Sequence, residues 1–285
     1  METPFIPGHP FGTTGIEVTR VGLGGEGVLR THGRVEEART VIREALAQGI
    51  RYFDSARAYA GSQGYYGSVW QADPSLRPTV FQASKSARRD RRGALADLEE
   101  TLKVMGIDYL DLWQIHDVRT DAEIEAIAGP GGALEAFLEA RSSGKVRFIG
   151  VTGHHDPSVL TRAVREWPVD SVMMPVSPVE AALGGFLDRT LPLAREKGVA
   201  VIGMKILGAS QYVHPEGGIT AEILLRYALS QGVTVAIAGC SSPEEVRTLA
   251  GVGRGFQPLT QEEQQGLVDA FRPYAKGLAF YRGRF

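Results

Sequence analysis

Residues 51–59 read Arg51-Tyr52-Phe53-Asp54-Ser55-Ala56-Arg57-Ala58-Tyr59. The apolar run is too short for a helix and is followed by polar residues, so it reads as a buried strand passing straight into a loop. An acid stands at its end and a tyrosine follows shortly after. Two later runs also end in ionisable residues, Phe81-Gln82-Ala83-Ser84-Lys85 and Asp111-Leu112-Trp113-Gln114-Ile115-His116. If the three strands are neighbours in one parallel sheet, their C-terminal ends gather Asp54, Tyr59, Lys85 and His116 at one mouth. That set suits transfer of a proton to a carbonyl oxygen.

The remaining chain supplies such a sheet. Phe11 to Gly25 holds two short β-like runs around Thr14-Gly15, a hairpin turn, and the second run flows into Val21-Gly22-Leu23-Gly24 as a first barrel strand. From there strands and helices alternate. Strands are expected over 50–54, 79–85, 109–116, 146–151, 171–176, 199–204 and 233–238. Helices are expected over 35–48, 65–71, 88–105, 133–143, 158–166, 186–197, 221–231 and 243–249, with one more after Thr260. Gly49, Gly106 and Gly198 stand where three of the helices should stop. About eight βα units in a chain of 285 residues, with no composition break, predict an α/β fold in one domain over 1–285. The fold is a closed (β/α)8 TIM barrel preceded by an N-terminal β-hairpin. An open doubly wound sheet is the structural competitor.

Composition narrows the function. A hydrophobic share of 43% is ordinary for a globular chain, and a formal charge of −2 gives no electrostatic reason to expect nucleic acid or an anionic membrane as partner. The single cysteine, Cys240, excludes an internal disulfide and a CxxC metal or iron–sulfur site. The N-terminal residues Met-Glu-Thr-Pro-Phe-Ile-Pro lack the basic-then-apolar pattern of a signal peptide. No apolar run approaches the roughly 18 residues of a membrane span. The expectation is a soluble cytoplasmic protein acting on a small molecule, its oligomeric state open.

Strand ends in a barrel are where chemistry is placed. An inward Asp54 and Lys85 on adjacent strands are costly to bury singly and should pair. The lysine ammonium beside Tyr59 should favour phenolate and draw the tyrosine down from about 10. Such a phenol can act as general acid towards a newly formed alkoxide, with His116 orienting the carbonyl. Each residue alone also has a plain reading, the acid as a turn or cap and the tyrosine as packing. Their clustering at three consecutive strand ends argues for chemistry.

These motifs, Phe53 to Tyr59, Ala83-Ser84-Lys85, Asp108 to His116, Gly144 to Val151 and the opening Gly12 to Val18, resemble the aldo-keto reductases along nearly the whole chain. The resemblance implies a (β/α)8 barrel and NAD(P)H-dependent interconversion of carbonyl and alcohol. It makes Tyr59 the acid, tuned by Lys85 and Asp54, with His116 positioning the substrate.

The cofactor positions depart from the family. Thr152-Gly153 stands where the family carries Ser-Asn, and Met174 or its neighbours where a Gln is common. Met204-Lys205-Ile206-Leu207-Gly208 replaces an aromatic stacking residue and a phosphate-binding turn. Met204 can cover a nicotinamide face, Lys205 can reach pyrophosphate, and Gly208 admits close backbone approach. A core residue and a surface charge are the plain alternatives for Met204 and Lys205. Ser241 and Ser242, just before a helix, suit phosphate or ribose binding, or simple capping. Gly239 and Glu245 stand where many members carry the Lys and Arg that grip a 2′-phosphate, so NADP(H) and NAD(H) both stay open.

Other features compete. Gly22-Leu23-Gly24-Gly25-Glu26-Gly27 matches GxGxxG, but no clean helix start follows, and a Gly-rich barrel rim is simpler. His116, His154, His155 and Asp156 raise a metal site, yet no HxH or HExxH pair supports it, and no metal is expected. The substrate wall is expected from loops 118–132 and 209–219 and from the C-terminal tail. Tyr65, Tyr66 and Trp70 either line an entrance or pack a helix. Two other functions remain: a nucleotide-binding sensor that turns over little, and a metal-dependent barrel hydrolase.

Overall fold

The computed structural model describes residues 5–283. Part of the N-terminal stretch read for a leader (1–4) and the last two residues of the tail (284–285) lie outside the described residues.

Two short strands, β1 (Gly8–Pro10) and β2 (Glu17–Thr19), pair antiparallel. Eight parallel strands then close a barrel: β3 (Val21–Gly27), β4 (Tyr52–Phe53), β5 (Phe81–Ser86), β6 (Leu110–Ile115), β7 (Val146–Thr152), β8 (Ser171–Pro175), β9 (Ala200–Met204) and β10 (Val235–Cys240). β10 pairs back onto β3. Around them run α1 (Val35–Ala47), α2 (Ser62–Trp70), α3 (Arg91–Met105), α4 (Asp121–Ala128), α5 (Ala133–Ser142), α6 (Pro157–Glu166), α7 (Pro178–Leu183), α8 (Leu191–Glu196), α9 (Ala221–Ser230), α10 (Pro243–Arg254), α11 (Gln261–Phe271) and α12 (Ala275–Leu278). This is the (β/α)8 barrel with its preceding hairpin, and the open-sheet competitor is excluded.

Period-two alternation divides the core. Tyr52, Phe81, Ala83, Leu112, Met173, Ile202 and Val235 meet inside the barrel. Their neighbours Phe53, Trp113, Val172 and Val201 face out into the helix layer. Helix α1 shows the matching logic. Ala38, Val41, Ile42 and Ala45 form its buried stripe, and the chain turns at Gly49 with φ 85°. Tyr66 and Trp70 of α2 pack edge-on against Phe53 at 5.9 and 5.6 Å, so these aromatics hold the helix to the barrel. Phe11 of the hairpin plugs the N-terminal end, 4.9 Å from the Phe81 ring.

The differences from expectation are local. The hairpin's first strand lies before Phe11, and residues 11–16 form its connection. Loop 118–132 contains α4, started by a capping box of Thr120 and Glu123. The helix expected over 186–197 is shortened to α8, preceded by a wide turn at Phe186–Thr190, with α7 added upstream. Pro192 in the first turn of α8 explains the break, because it has no N–H to continue the preceding turn.

Candidate active site

The register of the first strands places the four ionisable residues at one end of the barrel. Asp54 N–H donates to the Leu23 carbonyl at 2.9 Å, Ser55 N–H to Ala83 at 3.1 Å and Arg57 N–H to Lys85 at 3.0 Å. The loop after β4 therefore lies pinned between β3 and β5, and Tyr59 follows from it. Lys85 Nζ donates to Asp54 Oδ2 at 2.6 Å and to the Ser55 carbonyl at 2.8 Å, with both side chains buried. Burial pushes the Asp54 carboxyl up and the Lys85 ammonium down, and their mutual attraction opposes both shifts.

Tyr59 is surrounded by charge. Lys85 Nζ lies 4.8 Å from its ring centroid and the Arg30 guanidinium 4.9 Å, and the His116 ring meets it edge-on at 5.6 Å. A Cβ at Gly25 would come within 2.7 Å of the Tyr59 ring, so this glycine lets the ring lie against the backbone of β3. The phenol does not shift as expected. Burial, then the carboxylates of Asp54 and Glu26, push Tyr59 well above its ordinary value, with Arg30 opposing. The Asp54 charge offsets the field of the lysine it holds, and the phenol stays protonated.

His116 N–H donates to the Ser86 carbonyl at 2.9 Å. Burial, followed by the Lys85 charge, lowers its imidazole to about 3, so the ring is neutral at neutral pH. Asp117 follows in the left-handed region at φ 56°. Its N–H donates to Thr152 Oγ1 at 2.8 Å.

Two cavities meet here. A groove of about 510 Å3 runs from Asp54 and Tyr59 past Met204 and Gly208 to Gly239, Ser241 and Glu245. A second cavity of about 460 Å3 lies over Lys85, His116, Asp117, Thr152 and His154. Glu26, Arg30, Tyr59, Met173, Met204 and Lys205 border both.

The model of the aldo/keto reductase family matches residues 20–216, more than half of the chain. The chain belongs to the aldo/keto reductase family. It is similar to L-galactose dehydrogenase from Arabidopsis thaliana, 30% identical over 67% of this chain and 62% of that protein. It thus spans less than two thirds of that relative's length. It is also similar to 6-dehydroglucose reductase from Novosphingobium aromaticivorans, 27% identical over 81% of this chain and 79% of that protein. In fold it is similar to an aldo-keto reductase from Klebsiella pneumoniae solved in complex with NADPH. The TM-score is 0.75 at 21% identity, covering 95% of this chain and 96% of that one.

Of the residues expected to hold a nucleotide in this aldo/keto reductase, Met204, Lys205, Leu207, Gly208, Gly239, Ser241 and Glu245 border the groove. Thr152 borders the second cavity instead. Gly153 and Ser242 border neither. A Cβ on Gly153 would point at the Val118 carbonyl and Leu160, and Ser242 Oγ caps α10 by accepting from Glu245 N–H at 3.3 Å. In β8 it is Met173 that faces inward, while Met174 packs outward.

The groove is long and carries one cation suited to a phosphate group. Lys205 is the one cation lining it without a carboxylate partner among the described residues. Gly239 packs so closely on Glu26 that a Cβ there would meet it at 2.6 Å. The far end differs, because Glu245 Oε2 accepts from Ser241 N–H at 2.6 Å and occupies the start of α10 with its own carboxylate.

Among the described residues no group of three or more His, Cys, Asp or Glu side chains could hold a metal ion, and no helix is long and apolar enough to cross a membrane. Sequence reasoning missed Glu26, Arg30, Arg89 and Asp117, and covered Met173 only as a neighbour of Met174. Only two of these carried a signal: the Glu26–Arg30 spacing, an i,i+4 ion pair at 2.7 Å, and the strand parity of Met173.

Proposed function

We propose that this chain is an NAD(P)H-dependent carbonyl reductase, or in reverse an alcohol dehydrogenase, with Tyr59 as general acid and base. One observation carries it. The buried Lys85–Asp54 pair sits against the Tyr59 ring, with His116 edge-on, where a long groove meets a second cavity. Support comes from a structural relative that holds NADPH and from curated relatives named as a dehydrogenase and a reductase.

Met204, Lys205, Leu207, Gly208, Gly239, Ser241 and Glu245 hold the nucleotide in this reading, and Thr152 borders it from the second cavity. A reduced nicotinamide held by these residues would supply the hydride that the carbonyl carbon gains. The phenol of Tyr59, kept protonated by burial, gives its proton to the carbonyl oxygen as that oxygen gains charge. Neutral His116 donates a ring N–H to the same oxygen and sets its direction. Lys85 stabilises the phenolate left behind, and Asp54 keeps the ammonium aimed at it. Glu245 suits a ribose hydroxyl better than a 2′-phosphate, and NADP(H) and NAD(H) both remain within the reading.

The test is Tyr59→Phe. Carbonyl reduction should fall by about 100-fold or more, while nucleotide binding, followed by fluorescence titration, changes less than about twofold. Undiminished turnover overturns the assignment. Tight nucleotide binding with no turnover by the unmodified protein across a carbonyl panel, in either cofactor, favours the sensor reading.

A further inference from the structure

Tyr59 meets a second ion pair besides Lys85–Asp54. The chain turns sharply at Gly27, the last residue of β3, which sits in the left-handed region at φ 68°. It lies so close to β10 that a Cβ there would come within 2.6 Å of the Cys240 carbonyl oxygen. The short turn Val28–Arg30 follows and returns Arg30 to the Tyr59 ring, its guanidinium carbon 4.9 Å from the centroid. Glu26, just before the turn, holds that guanidinium at 2.7 Å. Glu26 and Arg30 border the groove and the second cavity, as Tyr59 does.

The loops that carry Arg30 and Tyr59 are tied together. Gly61 N–H donates to the Thr31 carbonyl at 3.0 Å, and the Tyr65 hydroxyl donates to the same oxygen at 2.9 Å. A Cβ on Gly61 would come within 2.5 Å of that oxygen. Thr31 directly follows Arg30, and Gly61 lies just beyond Tyr59. Backbone therefore sets the distance from which the guanidinium reaches the ring.

This pair bears on the phenol's chemistry. When Tyr59 hands over its proton, the O–H electron pair stays with the phenol and the ring gains a negative charge. A guanidinium over the ring attracts the neutral form weakly and the phenolate strongly, so it favours the state after transfer. A nearby carboxylate does the reverse. The other groups facing this region are buried Lys85 with Asp54, neutral His116, Lys205, and Asp117, which pairs with Arg119 and lies beside His154. Arg30 and Glu26 are about half-exposed, so salt weakens their field at the ring.

We propose that Arg30, steered by Glu26, is a positioning residue for proton transfer: its guanidinium steadies the Tyr59 phenolate, and the Glu26 carboxylate limits how strongly. The proposal rests on the reading of Tyr59 as general acid above.

The experiment follows single turnovers of the aldehyde reduced fastest among propanal, glyceraldehyde and benzaldehyde, with NADPH and NADH each at saturation, so that product release does not mask chemistry. Arg30→Met should slow the step about threefold to tenfold, and Arg30→Lys should restore most of the rate. Glu26→Gln keeps an acceptor for Arg30 but drops the charge, and should quicken the step about twofold. Oxidation of the matching alcohol adds a pH readout. Its rise with pH should move up by about half a pH unit in Arg30→Met and down in Glu26→Gln.

Opposite signs in the two variants are the signature, because a merely structural loss only slows the reaction. In a Tyr59→Phe background Arg30→Met should change the residual rate less than about twofold, since there is no phenol to act through. Slowing by both Arg30→Met and Glu26→Gln, no change in Arg30→Met, or an Arg30 effect that persists without the phenol overturns the proposal and leaves the reductase reading standing. Weaker nucleotide binding in Arg30→Met with an unchanged single-turnover rate also overturns it and assigns Arg30 to the nucleotide. Undiminished turnover in Tyr59→Phe alone, or turnover of no aldehyde, defeats both readings.

Discussion

Arg89 holds the backbone of His116. Its Nη1 donates to the His116 carbonyl at 2.8 Å, Nη2 donates to the Asp117 carbonyl at 2.8 Å, and Nε reaches Glu123 Oε1 at 3.1 Å. The clamp falls where the chain enters the left-handed region at Asp117, a conformation that costs a non-glycine residue roughly 1 kcal/mol or more. Without the guanidinium, two carbonyls lose their donor and the turn has less to hold it. Arg89→Met should therefore lower kcat by about tenfold to 100-fold, with nucleotide affinity shifting less than about twofold. A fall in nucleotide affinity that matches the fall in kcat would show that Arg89 acts elsewhere.

The Lys85–Asp54 pair makes a prediction about stability. Both groups are buried, so removing one leaves the other charged and unpaired, at a cost of about 3–5 kcal/mol. Lys85→Met should destabilise by that order in urea unfolding. The double variant Lys85→Met, Asp54→Leu should recover most of the loss while remaining inactive, which separates the pair's role in folding from its role in chemistry. A double variant no more stable than the single one defeats this account.

How far the site was legible depends on the distance over which each residue is specified. Asp54, Lys85 and His116 end apolar runs, so local pattern alone places them at strand ends, and parity puts Tyr52 and Leu112 inside the barrel. Arg89 and Asp117 act through carbonyls and ion pairs made between loops, and no local period encodes those. The pKa direction of Tyr59 was misjudged for a related reason. The lysine was read without the opposing field of the aspartate it binds, and burial outweighs what remains. Helix α4 was readable, because Thr120 and Glu123 stand at capping-box spacing, but the glycines at 129–132 drew the whole stretch towards a loop. Gly153 was assigned by resemblance and Ser242 also from its place before a helix; in the structure Gly153 packs against Val118 and Leu160, and Ser242 caps α10.

His116 predicts a pH effect. Its folded value, about 3, lies below the 6.5 of an unperturbed imidazole. As pH falls through 6.5 the unfolded chain takes up a proton that the folded chain refuses, so stability is lost from there down towards 3. His116→Asn removes this contribution. Between pH 7 and 5 the variant should lose about 1–2 kcal/mol less stability than the unmodified protein, in chemical unfolding at each pH. Parallel losses in the two proteins count against a neutral His116.

The C-terminal tail bears on the second cavity through one buried carboxylate. Glu180 pairs with Arg282 and accepts from the Tyr281 hydroxyl at 2.7 Å, all three side chains being buried. The Tyr281 carbonyl in turn receives His154 Nδ1, so tail docking fixes the imidazole that faces Asp117. Arg282→Leu strands the Glu180 carboxylate at a cost of about 3–5 kcal/mol, which a short terminal segment can relieve by letting go rather than unfolding the barrel. Trypsin should then cut after Lys276 at least about tenfold faster, seen by intact mass, while the barrel's unfolding midpoint moves little. Adding Glu180→Leu removes the stranded charge and should slow the cut again. Equal cutting in the single and double variants shows that the ion pair does not hold the tail.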